Sequence, residues 1–237
     1  MNVIYISVLI VLILFILWRF FFFFRNPPRQ SSAPENAILS PADGYVLYVR
    51  YISGPDSEVF SIKNEKRIFL RELMLLRQSD HHMKSGWLIG IVMSPLDVHF
   101  NRAPVDGFIE KFSHEFSSSL KKNLNMFPAL QNLFFRNEPP YNDCSYLVHN
   151  ERASYVISNP ELKIYVTQIA DKFIKKIVTY KNRENIARGE VFGLIRMGSQ
   201  VDLFIPDTYI PVKINVSERQ HLKAGIDIVA WFYSQKK

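Results

Sequence analysis

The chain opens on one long apolar run and then breaks into short alternating stretches. Val3 to Trp18 carry no charge, and Tyr5 and Ser7 supply the only hydroxyls there. Arg19 interrupts the run, and Phe20 to Phe24 resume it. A helix over residues 2 to 24 would be roughly 34 Å long at ~1.5 Å per residue. That length covers a hydrocarbon core of about 30 Å. The pattern predicts a transmembrane anchor over residues 1–25, with Arg19 near one end, where it can reach the headgroups. A cleaved signal peptide would need a basic start and a small-residue cleavage site, and this start has neither. Arg19, Arg25 and Arg29 follow the main apolar run. The positive-inside rule then expects a single-pass protein of the cell membrane with its body in the cytoplasm.

Residues 26–38, "NPPRQSSAPENAI", have the composition of a linker. From residue 39 to 237 the text changes to runs such as "GYVLYVRYI", "GWLIGIVMS", "LKIYVTQIA" and "VDLFIP". Their period of two and their β-branched and aromatic content predict a mainly β (α+β) domain with few helices. In the stretch at 196–206, Val201, Leu203 and Ile205 alternate with Gln200, Asp202 and Phe204. Residues 117–140 differ: Leu120, Leu124 and Phe127 have helical spacing, broken by Pro128. They read either as a short helix packed on the sheet or as a surface dipping into lipid. There is also an internal echo. "PADGYVLYV" (41–49), "IARGEVFGLI" (186–195) and "LKAGIDIVAWF" (222–232) each place a glycine ahead of an apolar strand. Such half-motifs occur in β-sandwiches of the lipoyl/biotinyl kind.

Composition narrows the function classes. A chain of 237 residues, 48% hydrophobic, supports one sizeable domain plus an appendage. The formal charge of +7 suits an anionic partner. No zinc-finger spacing or aromatic RNA-binding motif accompanies it, so anionic lipid fits and nucleic acid does not. Cys144 is the single cysteine, which rules out an intramolecular disulfide and argues against a thiolate zinc site. No paired-histidine or carboxylate cluster has metal-ligand spacing, so no metal is expected.

Three stretches carry chemistry. In "LSPADGYV", Asp43 sits in a turn. In "MSPLDVHFNRAPVDG" (93–107), an extended strand would turn Asp97 and His99 to one side, with Asn101 and Arg102 following. In "MGSQVD" (197–202), Gly198 and Ser199 stand at a strand entrance, where a carbonyl is least hindered. His81 and His82 would face apart in an extended strand and read as a solvated loop. His221 falls in an expected loop and receives no role.

In their order and spacing these stretches resemble the phosphatidylserine decarboxylase family in its shorter, single-span form. "FFFFRNPPR", "HNER" (149–152) and the block from "QIADKF" to "GSQVDLFIP" extend the likeness over most of the chain. The resemblance implies a membrane-anchored proenzyme that cuts itself between Gly198 and Ser199. The Ser199 hydroxyl attacks the Gly198 carbonyl to give an ester; elimination and hydrolysis then leave a pyruvoyl group on the new N-terminus. Residues 1–198 and 199–237 become the two chains of a heterodimer. The pyruvoyl ketone condenses with the amine of phosphatidylserine as a Schiff base and serves as electron sink as carbon dioxide leaves, giving phosphatidylethanolamine. The resemblance further implies His99 as the acid that returns a proton to Cα, and Asp43 as the group that orients or activates the self-cleavage base. Arg102 and Asn101 would bind the substrate's carboxylate or phosphate. Longer members have a second histidine where this chain has Arg102, which cannot act as a base. His99 alone, His149 or His114 then remain for that task. Decarboxylation of the archaeal ether-lipid analogue is a close variant. A non-catalytic membrane-anchored adaptor and an inactive relative are the alternatives of other classes.

Overall fold

The computed structural model describes residues 2–61, 67–76, 85–116, 125–126, 131–133, 144–171, 177–196, 199–208 and 210–233. His81, His82, Gly198 and most of residues 117–140 lie outside the described residues. The side chain of Ser199 does too.

The apolar start forms helix α1 (Asn2–Leu17), followed by a wider π-type turn at Trp18–Phe22. The strands follow in chain order. The first seven are β1 (Ala37–Leu39), β2 (Gly44–Ile52), β3 (Glu58–Ser61), β4 (Arg67–Phe69), β5 (Gly86–Met93), β6 (Phe100–Arg102) and β7 (Gly107–Glu115). Next come β8 (Arg152–Ser158), β9 (Lys163–Ala170), β10 (Ile177–Thr179), β11 (Glu184–Ile186) and β12 (Val191–Ile195). The last are β13 (Ser199–Pro206), β14 (Val212–Ile214), β15 (His221–Leu222) and β16 (Ile228–Phe232). Two single-turn helices, α2 (Leu70–Leu73) and α3 (Tyr146–His149), interrupt them.

One eight-stranded sheet, in the order β11-β7-β8-β9-β13-β5-β2-β15, organises the body. Its pairs are antiparallel. Two three-stranded sheets, β1-β16-β14 and β10-β12-β6, cover one face. Period-two alternation assigns each central side chain to a layer. Val201, Leu203 and Ile205 pack with Ile91, Val166, Phe192 and Val229 on that face. Phe204, Leu88, Val92 and Tyr165 pack on the other, beneath β3, β4, α2 and α3. The alternating strands were expected; a lipoyl-type two-sheet sandwich was not what they built. The central sheet is buried on both faces, so the layers number three. The echoed half-motifs do meet in space. Gly189 and Gly225 both adopt positive φ (+80° and +68°), and a Cβ added at Gly225 would come within 3.3 Å of the Gly189 Cα.

The N-terminus corrects the sequence expectation. No helix among the described residues is long and apolar enough to cross a membrane. Helix α1 has 16 residues, which at ~1.5 Å each gives about 24 Å. The phenylalanines counted towards a span do other work. Phe23 is fully buried in the body, and its N–H closes on the Trp18 carbonyl at 2.8 Å. The Arg19 guanidinium lies over the Phe24 ring at 4.1 Å, and Arg25 over Phe22 at 3.9 Å. Over this last turn Phe23 is covered by protein, while Phe21 and Phe22 stay exposed.

Candidate active site

The site forms where β12 hands over to β13. Strand β12 pairs with β6, and the Ile195 N–H donates to the His99 carbonyl at 3.2 Å. Beyond the junction, Ser199 opens β13 in register with Met93 on β5 and Ala170 on β9. The histidine stretch therefore flanks the chain just before the Gly-Ser pair, and two strands grip it just after.

The Ser-Pro-Leu-Asp segment is a turn, with the Asp97 N–H on the Ser94 carbonyl at 3.0 Å, so the extended strand expected through Asp97 starts only at Phe100. Asp97 Oδ2 accepts the Ser94 N–H at 2.7 Å. The Asp97 carbonyl, not its carboxylate, meets His99 Nδ1 at 2.9 Å. A carbonyl only accepts, so Nδ1 carries the proton and Nε2 presents its lone pair. His99 is fully buried, and its Nε2 has no partner among the described residues. The Phe23 ring covers it, with centroids 4.2 Å apart. Burial pushes the His99 imidazole down to about 4; the nearby Arg25 adds to this, while Asp97 and Asp43 oppose it. At neutral pH, His99 is an uncharged base.

Asp43 is held on every side. Arg29 reaches it with both terminal nitrogens, Nη2 at 2.8 Å from Oδ2. The N–H of Ala224 donates to Oδ1 at 2.7 Å, and that of Val98 to Oδ2 at 3.3 Å. Through Val98 it fixes the residue next to His99. Asn101 lies between the two strands that grip Ser199. Its Nδ2 approaches the Met93 sulfur at 4.0 Å, and its Oδ1 accepts from Gln168 Nε2 at 2.6 Å.

Arg102 spends its terminal nitrogens on the protein: Nη1 on the Gly189 carbonyl at 2.9 Å, Nη2 on Asn26 Oδ1 at 2.6 Å and the Pro27 carbonyl at 3.1 Å. Its stem passes so close to Gly225 that a Cβ there would sit 2.8 Å from Arg102 Cδ. Only glycine suits both that contact and the positive φ. Arg102, Arg29, Gln30 and the Asn26–Pro28 turn line an open cavity of ≈ 660 Å³. Farther on, Arg188 donates to the carbonyls of Ala33 at 2.8 Å and Ala37 at 3.1 Å. Residues 26–37 thus run along the body, held by Arg102 and Arg188 and by their own Arg29.

The "HNER" residues brace the same region. Asn150 Nδ2 donates to the Ala170 carbonyl at 2.9 Å, behind the register partner of Ser199. Glu151 takes His114 Nε2 at 3.0 Å and the Ile177 N–H at 3.1 Å. His149 Nδ1 meets the Ser145 carbonyl at 2.7 Å. Sequence reasoning missed His221, whose Nε2 lies 2.8 Å from Asp97 Oδ1 and whose ring meets Tyr45 at 4.6 Å. No local signal marks a pair 124 positions apart. It also missed Phe23 and Arg29, which the apolar run and the linker concealed.

Comparison with known proteins agrees with this geometry. The family model described as phosphatidylserine decarboxylase matches residues 16–230. A phosphatidylserine decarboxylase proenzyme of Chlorobium limicola is 30% identical over 226 residues, 93% of this chain and 81% of the relative. A Methanocaldococcus jannaschii protein described as an archaetidylserine decarboxylase proenzyme is 32% identical over 207 residues, 87% of this chain and 86% of its own length. A phosphatidylserine decarboxylase proenzyme of Cytophaga hutchinsonii is 32% identical over 235 residues, covering 98% and 83%.

Proposed function

The chain belongs to the phosphatidylserine decarboxylase family, and from that premise we propose that it is a proenzyme which cuts itself at Gly198–Ser199 and then decarboxylates a serine phospholipid. The reaction class is that of a pyruvoyl-dependent carboxy-lyase. Relatives named for phosphatidylserine and for archaetidylserine both cover most of the chain, so the serine headgroup is the shared substrate feature. The observation that carries the reading is the place of Ser199. It opens a strand held from both sides, one short connection from a strand that is bonded to His99.

His99 is the base for self-cleavage. Its bare Nε2 takes the proton of the Ser199 hydroxyl as that oxygen attacks the Gly198 carbonyl. The peptide C–N bond breaks, an ester forms, and the proton passes to the freed nitrogen. Loss of a proton from the Ser199 Cα then expels the Gly198 carboxylate, and addition of water with departure of ammonia completes the new end. Burial, which holds the imidazole down at about 4, keeps it uncharged with its Nε2 lone pair free at neutral pH. Asp43 orients this base through the Val98 N–H rather than by touching the ring. A second histidine is therefore not required where Arg102 stands.

The residues fit a group derived from Ser199: β5 and β9 hold the severed strand by its backbone, and Asn101 touches both strands, at Met93 and at Gln168. In place, the pyruvoyl group supplies the carbonyl that engages the substrate amine and withdraws the electron pair left by carbon dioxide. His99 accepts a proton from the substrate's ammonium at Nε2 and returns it to Cα. Asn101 and Arg102 serve the headgroup, Arg102 by shaping the cavity beside the Asn26–Gln30 turn. Helix α1, exposed and apolar all round, with Phe21 and Phe22 also exposed, provides contact with the lipid surface.

Intact mass tests the reading. Wild type should give two chains divided after Gly198, and Ser199→Ala a single inactive chain of about the full 27.7 kDa. A Ser199→Ala protein that still releases carbon dioxide from phosphatidylserine would overturn it.

A further inference from the structure

Behind β13, four polar side chains meet within an apolar layer. Gln200 and Asp202 are fully buried, as is Tyr48, and Tyr146 is nearly so. Gln200 Oε1 accepts from the Tyr146 hydroxyl at 2.8 Å. Gln200 Nε2 donates to the Tyr48 oxygen at 2.8 Å and to Asp202 Oδ1 at 2.7 Å. The Tyr48 hydroxyl donates to that same Oδ1 at 2.8 Å. Both amide hydrogens and both hydroxyl protons have destinations, so the amide can point only one way. Room is made for the cluster: a Cβ at Gly90 would lie 2.3 Å from the Tyr48 ring.

Apolar side chains would fill this layer at less cost. Phe204, Leu88, Val92 and Ile169 already surround the cluster, and a buried polar network is retained at the expense of desolvation. Burial pushes the Asp202 carboxyl up to about 7, while its bonds from Gln200 and Tyr48 oppose this. What distinguishes Gln200 is its place in the chain. It follows Ser199, and its own nitrogen becomes the point from which the reactive end hangs once the chain is cut.

We propose that Gln200 is a positioning residue for that severed end: the clasp of Tyr146, Tyr48 and Asp202 fixes the peptide plane beyond the cut. The proposal rests on the self-cleavage reading. The ladder already holds residue 200 in register with Val92 and Ile169. It leaves a free end able to rock about the strand axis. Tyr146 comes from α3, outside the sheet, and stops that rocking. Small displacements of a reacting group are costly to rate and not to ground-state binding.

The test is Tyr146→Phe, which keeps the ring and removes one hydrogen bond. Wild type is first confirmed as two chains; a wild-type protein that remains whole overturns the cleavage reading and this one together. Tyr146→Phe should cleave completely, lose about tenfold in kcat with KM unchanged, and exchange the Gln200 backbone amide faster. Phe204→Leu, a core change on the same face, serves as comparison. It should lower Tm without lowering kcat. Normal kcat in Tyr146→Phe, a failure to cleave, or equal kcat loss in Phe204→Leu at equal Tm would each overturn the clasp.

Discussion

Two walls flank the site at the β12–β13 junction, and they are held by different forces. One is the ladder of β5, β9 and β13, in which pairing on both sides fixes Ser199 to Phe204. The other is the N-terminal strap, where Phe23, Arg25, Arg29 and the arginine-bound carbonyls lie on the body without forming a sheet. Backbone pairing tolerates side-chain change; a strap fastened by a few arginines does not. The ladder wall should therefore be robust and the strap wall brittle, although both border the same site.

That contrast can be tested first at the histidine that the strap covers. His99→Ala should lose decarboxylation at least ~100-fold, the usual scale for a proton-transfer group, while circular dichroism stays native. Near-normal turnover would remove His99 from the mechanism. The next effect belongs to the strap. Arg29→Ala leaves Asp43 buried without its partner, and the two side chains are 10% and 7% exposed in the pair. Removing one member of such a pair costs about 3 kcal/mol. The expected result is a clearly lower Tm, and an unchanged Tm would mean the strap is not fastened there. The subtlest change is in pH response. Phe23→Ala admits water to His99 and should return its pKa from about 4 towards the ordinary ~6.5. The imidazole must be neutral to act, so the acid limb of kcat/KM should move upward in pH. Activity at pH 5 should fall on the order of tenfold relative to wild type, with little change at pH 8. A limb that stays put would show that Phe23 does not shield the ring.

The same contrast explains what was legible in the sequence. The ladder could be read because period-two patterning is local: Val201, Leu203 and Ile205 lie where their alternation put them. The Gly-Ser entrance could be read for the same reason. The strap could not, because an apolar run does not encode whether lipid or protein will cover it. Phe20–Phe24 counted equally for either, and only packing showed that Phe23 meets His99. Pro and Ser in residues 26–38 signal irregular backbone but say nothing of Arg29 reaching Asp43 or Arg188 gripping four carbonyls. The Asp-x-His spacing at Asp97 and His99 fits an extended strand equally well. The Asp97 side chain, bonded to the Ser94 N–H, closes a turn instead. His221 joins it from the far end of the chain, a meeting fixed by topology alone.

The sheet order has a mechanical consequence. The stretch from 199 onward supplies β13 at the interior of the large sheet, β15 at its edge on β2, and β16 at the centre of a second sheet between β1 and β14. A fragment stitched into two sheets at once cannot be unzipped from either end one strand at a time. Pulling it free would require both seams to rupture together, a high kinetic barrier to subunit exchange. On the proposed self-cleavage, the cut would sever a covalent bond without creating a separable part.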